Sequence, residues 1–91
     1  MKRKLDDSRE MAAFKRRQFV EQLAALEHEQ WMKWSKAVAT RVDADTRLRW
    51  RKFWVPYKDL SESAKEQDRI WARKIVKAMD RALRREERKQ K

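Results

Sequence analysis

Aromatic and basic side chains alternate in three stretches of this chain: Trp31-Met32-Lys33-Trp34, Arg47-Leu48-Arg49-Trp50-Arg51-Lys52-Phe53-Trp54, and Tyr57-Lys58. Aromatic faces stack on nucleobases, arginine adds a cation–π contribution, and the flanking cations attract phosphates. The chemistry suits a nucleotide or a single strand of nucleic acid. The competing reading is structural. Trp31, Trp34, Trp54 and Trp71 would then form the core of a small bundle, leaving Trp50, held between Arg49 and Arg51, as the partly exposed indole.

Catalysis finds little footing. One histidine and no cysteine exclude the commonest metal constellations. His28-Glu29 resembles half of a zinc-protease helix, but the second histidine is absent. With no glycine there is no glycine-rich phosphate loop. Ser8, Ser35, Ser61 and Ser63 lack a nucleophile's sequence context. The expectation is a non-catalytic protein with neither cofactor nor metal.

A formal charge of +11 points to an anionic partner. The charge is uneven: seven basic and three acidic residues over 1–20, six and two over 41–58, ten and three over 69–91. No run approaches the roughly 18 apolar residues of a membrane span, and no apolar stretch follows the basic start. The chain is therefore expected in the cytoplasm, without a membrane partner. The absence of cysteine agrees with a reducing compartment.

The elements that must position these residues are helices. The chain holds neither glycine nor asparagine, the residues that hairpin turns use at positive φ, so an all-α fold is expected. At 91 residues there is room for one domain, with 1–7 as a flexible basic leader, 8–83 as the helical module and 84–91 as a frayed basic tail. Asp7 or Ser8 can cap a long first helix running to about Thr40, whose apolar arc holds Phe19, Val20, Leu23, Leu26, Trp31, Trp34, Ala37 and Val38. Met11 and Phe14 fall outside that arc, so either the first turns form a separate segment or their apolar side meets something else, such as a second copy of the chain. Asp43 can cap a short second helix over about 44–54 that Pro56 ends. A connector follows, and Ser61 or Ser63 opens a long third helix, with Ser63-Ala64-Lys65-Glu66 as a capping box. That helix gathers Ala64, Trp71, Ala72, Ile75, Val76, Ala78, Met79, Ala82 and Leu83 on one broad face.

Three polar residues interrupt these faces: Glu27 and Gln30 in the first helix and Asp68 in the third. A buried carboxylate is costly unless paired. Either they tie the helices together, through an arginine, a tryptophan N–H or the Tyr57 hydroxyl, or they line a ligand pocket.

The block Val55-Pro56-Tyr57-Lys58-Asp59-Leu60-Ser61-Glu62, followed by Lys65-Glu66-Gln67-Asp68-Arg69, resembles the C-terminal half of the ryanodine-receptor repeat domain, in the short form found in bacteriophages and prophages. His28-Glu29-Gln30-Trp31 is similar to the His-Glu-x-Trp of that domain's first helix. The resemblance covers about 28–79. It implies a compact helical module that binds nucleotides or nucleotide-derived signals, with His28, Trp31, Pro56, Tyr57, Leu60, Lys65, Asp68 and Arg69 at the matching positions. The chain departs from the family in lacking its Gly-Trp and Tyr-Gly hairpin.

Together these readings predict a self-associating three-helix module that captures a nucleotide-type ligand, for example a second messenger of host immunity in a phage setting. Trp50, Arg51, Tyr57, Lys65 and Arg69 are the expected ligand residues, with Trp31 and His28 behind them. The alternatives are a basic nucleic-acid-binding protein and a small inhibitor of an acidic host factor.

Overall fold

The computed structural model describes residues 2–90. Three helices make up the fold: α1 (Lys2–Val38), α2 (Ala44–Arg51) and α3 (Glu62–Gln90). Single 3-10 turns at Ala39–Arg41 and Tyr57–Asp59 sit in the connections. No described residue has a positive φ, which is how a chain without glycine turns twice. No described helix is long and apolar enough to cross a membrane.

Local chemistry accounts for most boundaries. The Asp43 carboxylate accepts from the Thr46 amide at 3.2 Å and caps α2. α2 ends at Arg51 rather than near residue 54; Phe53 N–H and Trp54 N–H donate to the carbonyls of Trp50 and Arg51 in a tighter turn before Pro56. At α3 the cap is Ser61, whose hydroxyl accepts from the Ala64 amide at 3.2 Å. Ser63 belongs to the first turn and forms no capping box with Glu66, whose carboxylate bonds Arg73 instead.

The long helices outrun their expected ends. α1 includes residues 2–7, read above as a leader, and α3 continues through the expected tail to Gln90. Neither segment holds a proline or glycine, and Lys, Arg, Glu and Gln are good helix formers. Met1 and Lys91, the outermost residues of leader and tail, lie outside the described residues.

α1 and α3 pack antiparallel, and α2 with its flanking turns covers one end of the pair. The core is small: Ala24 and Ala72 are fully buried, Val76 and Leu60 nearly so. Alanines let two helix backbones approach closely, at the cost of little buried area. The buried face of α1 runs through Ala24, His28 and Ser35, rotated from the expected apolar arc, so Leu26 and Trp34 face outward. On α3 only Ala72 and Val76 of the expected broad face are buried, and Trp71 stays 59% exposed under the Lys74 ammonium. Trp34 and Trp71 are thus surface residues, whereas Trp31, Trp50 and Trp54 are half-buried.

Candidate functional site

One turn of α1 places His28 and Trp31 side by side, three residues apart on the same face. Their rings stack with centroids 6.0 Å apart and planes at 21°. α2 brings Trp50 edge-on to Trp31 at 6.0 Å, and the turn after it brings Phe53 edge-on at 6.2 Å. Trp34 supports Trp50 from outside at 5.8 Å. Such edge and stacked contacts each add to plain area burial. α2 has no fully buried residue, so the aromatic contacts of Trp50 and of Phe53 just beyond it do much to dock this end.

Behind these rings lies a cavity of about 250 Å³. His28, Trp31, Trp50 and Phe53 wall it, and Leu60 and Ala64 supply further apolar surface. Its polar groups are Gln67, Asp68 and the His28 ring.

Hydrogen bonding fixes the character of that polar side. His28 is 4% exposed, and its Nε2 lies 2.7 Å from the Val55 carbonyl oxygen. A carbonyl only accepts, so Nε2 carries the proton and donates. Nδ1 is the nitrogen on the other side of the ring. It faces Asp68 Oδ2 at 3.8 Å, too far for a hydrogen bond between them. Burial pushes the Asp68 carboxyl above its ordinary range, and the nearby His28 only partly offsets this. Glu27 is also pushed up, by burial and then by the charge of Asp68. The cavity therefore presents a guest with the Asp68 carboxyl, the His28 ring and the Gln67 amide, whose oxygen accepts and whose NH2 donates.

The other expected ligand residues lie elsewhere. Tyr57 Oη donates to Glu21 Oε2 at 2.9 Å, and Arg69 Nε donates to the other oxygen of the same carboxylate. Arg69 also reaches Glu62 at 3.0 Å and Glu66 at 3.9 Å. Lys65 sits 3.6 Å from Glu62 and 5.6 Å from the centre of the Tyr57 ring. Burial pushes the Tyr57 phenol up to about 12, with the Glu21 hydrogen bond and charge adding to it. Burial also pushes the Glu21 carboxyl up, but hydrogen bonds from Arg69 and Tyr57 outweigh it and leave the carboxyl below its ordinary value. The Glu21 bond raises Arg69 further still. These residues form an ionic knot joining α1, the connector and α3.

The seven expected ligand residues therefore divide. His28, Trp31 and Trp50 line the cavity; Tyr57, Lys65 and Arg69 belong to the knot; Arg51 is exposed on α2 and lines no part of the cavity. Asp68 lines the cavity, Glu27 stands behind it half-buried, and Gln30 faces outward. The tryptophan N–H and the tyrosine hydroxyl find other partners than these three: Trp54 Nε1 donates to the buried Ser35 hydroxyl at 2.9 Å, and Tyr57 meets Glu21. Sequence reasoning missed Phe53, Gln67, Glu21 and Ser35 as participants. Phe53 stood inside the aromatic-basic stretch and could have been found there; Glu21 and Ser35 carry no local signal.

Comparison with known proteins finds no matching family model, no similar curated protein and no similar solved structure. The resemblance to the ryanodine-receptor repeat therefore rests on its residues alone.

Proposed function

We propose that this chain is a non-catalytic binding module that captures a nucleotide, taking the base into the aromatic cavity and leaving the phosphates outside. The observation carrying this reading is the pairing of aromatic walls, from Trp31, Trp50 and Phe53, with the polar groups of Asp68 and His28. At about 250 Å³ the cavity falls just below the roughly 300–1,000 Å³ of drug-sized sites, so it suits one planar ring system. A base whose edge bears N–H donors would satisfy the carboxylate that now lacks a hydrogen-bond partner in the cavity. The phosphates would be drawn by the +11 field rather than by a dedicated clamp, since none of Arg51, Lys65 and Arg69 lines the cavity. Capture of this kind withdraws a nucleotide signal from its receptor, which fits the phage setting that the family resemblance implies.

The test is a melting-temperature and calorimetric screen of purine and pyrimidine nucleotides, each with its nucleoside, at low and moderate salt. A ligand at one hundred times its dissociation constant stabilises by about 2.7 kcal/mol, which is easily read. The expected result is base-selective stabilisation that persists at moderate salt, is retained in part by the nucleoside, and falls at least roughly tenfold in Trp50→Ala and in Asp68→Ala. The reading fails if no nucleotide class shifts the melt, or if both variants bind like the parent.

A further inference from the structure

The α1–α3 pair carries a second recess at the end away from α2. It lies between residues 13–21 of α1 and 69–77 of α3 and encloses about 580 Å³. Ala13, Val20 and Val76 form its apolar floor. Its walls are Arg16 and Arg17 on one side and Arg69, Arg73 and Lys77 on the other, with Glu21 at one end. The stems of these long side chains extend the apolar surface while their heads remain in water. No aromatic ring lines it, so it offers nothing for a base to stack on.

This stretch of the hairpin lacks a third layer. Met11, Phe14, Met79 and Leu83, which flank the recess without lining it, are each about half exposed. The molecule is 15 Å across its thinnest dimension, little more than the roughly 10–12 Å of one helix with side chains. A pair of helices buries its apolar stripes only when another element lies along the groove between them. α2 and the connector do this at one end, and nothing among the described residues does it at the other.

Charge decides the occupant. Three of the wall cations are already in ion pairs: Arg16 with Asp80 at 2.8 Å, Arg69 with Glu21 and Glu62, and Arg73 with Glu66. Among the described residues Arg17 on α1 and Lys77 on α3 make none, which leaves one such cation on each wall of an aliphatic trough. A second copy of the chain would bring like charge: residues 8–20 and 76–90 hold ten basic and four acidic side chains. Like charges brought together across an interface oppose it.

We propose that this groove receives an amphipathic helix of a partner protein, one whose apolar stripe is bordered on both sides by acidic residues. The stripe lies on Ala13, Val20 and Val76, and its flanking carboxylates meet Arg17 and Lys77. The helix completes a three-helix bundle along the uncovered part of the hairpin. The site is separate from the aromatic cavity and does not depend on nucleotide capture.

The test uses the full chain and a labelled synthetic helix of about five turns, with a leucine stripe bordered by glutamates, read by fluorescence anisotropy. The glutamate helix is expected to bind. The double variant Arg17→Glu/Lys77→Glu should weaken it at least roughly tenfold, and raising salt should weaken it severalfold. Ala13→Glu, on an exposed position that does not threaten folding, should weaken it as well, while Trp50→Ala should leave it unchanged. Equal binding of a scrambled isomer or of a lysine-bordered helix overturns the proposal. So does a double variant that binds like the parent. Displacement by duplex DNA with an affinity indifferent to Ala13→Glu would make the surface a phosphate track instead. A dimer in sedimentation equilibrium that Ala13→Glu dissociates would make it a self-association face. Either result replaces the acidic helix.

Discussion

His28 and Asp68 face each other across a gap of 3.8 Å, too wide for a hydrogen bond between them. The Val55 carbonyl accepts from Nε2 and thereby fixes how the imidazole is turned toward the cavity. Asp68 bears the cost of that arrangement, because its carboxyl is pushed up by burial without a hydrogen bond in return. An acid whose folded pKa is raised loses stability as pH rises through the shifted value, since the unfolded chain ionises more readily. Asp68→Asn should therefore leave the free chain at neutral pH as stable as the parent or more so, by about 0.5–1 kcal/mol or a few degrees of melting temperature, while weakening nucleotide binding. A thermal melt beside a binding titration checks both signs, and a less stable Asp68→Asn chain would mean that the carboxylate is structural. Tyr57 gives a cleaner readout because it is the sole tyrosine. Its phenol should ionise near pH 12 in the folded chain, followed by ultraviolet absorbance, so the stability drawn from its bond to Glu21 is intact below about pH 10 and lost between there and 12. Glu21→Gln should bring that transition down toward 10 and cost about 1 kcal/mol, a figure discounted because the Glu21 side chain is 43% exposed.

At the scale of elements, some residues that act within a few positions of themselves were legible in the sequence, although Ser63 and Glu66 form no capping box and α1 begins ahead of Asp7 and Ser8, and residues that act across the fold were not. Asp43 caps α2 and Ser61 caps α3 because a short side chain reaches an amide three positions on, whereas α2 stops at Arg51, short of the end that Pro56 suggested. The all-α class followed from missing turn residues in the same local way. The buried face of α1 did not, because hydrophobic periodicity favours Leu26 and Trp34 over Ala24, His28 and Ser35. Close packing of two helices selects small residues, and His28 and Ser35 are admitted by Val55 and Trp54, which lie far along the chain. The cavity was half legible for that reason. His28, Trp31 and Trp50 could be named, but the Arg69 and Tyr57 side chains were claimed by Glu21, a residue with no mark in the sequence. α2 also shows how a local signal reaches the site. It is eight residues long with none fully buried, so its cap and its rings are what hold Trp50 in place. Asp43→Ala should speed amide exchange in α2 on the order of fivefold and reduce nucleotide affinity without moving the global melt far. Unchanged exchange in α2 would show that the rings alone fix it.

The whole molecule is an elongated slab rather than a globule. Its radius of gyration is 18.2 Å, against about 12 Å for a compact domain of this length. Most of the buried residues, Ala24, His28, Ser35, Leu60 and Ala72, lie toward the end where α2 and the connector provide a third layer, and the hairpin projects beyond them as two helices. The cross-link of Arg16 and Asp80 lies on that projection, but an exposed ion pair adds little. Isolated helices in water are marginal over such lengths, so order there depends on tertiary cover that the described residues do not themselves supply. Native-state hydrogen exchange should therefore divide the chain. Amides around residues 24–35 and 68–76 should be protected close to the global stability, and those around 8–16 and 80–89 should exchange at least roughly tenfold faster. Adding the glutamate-bordered helix should slow exchange in the second group, and adding a nucleotide should slow it near α2 instead. Uniform protection along both helices in the free chain would show that the projecting hairpin is already covered, and the groove between Arg17 and Lys77 would then have no room for a partner.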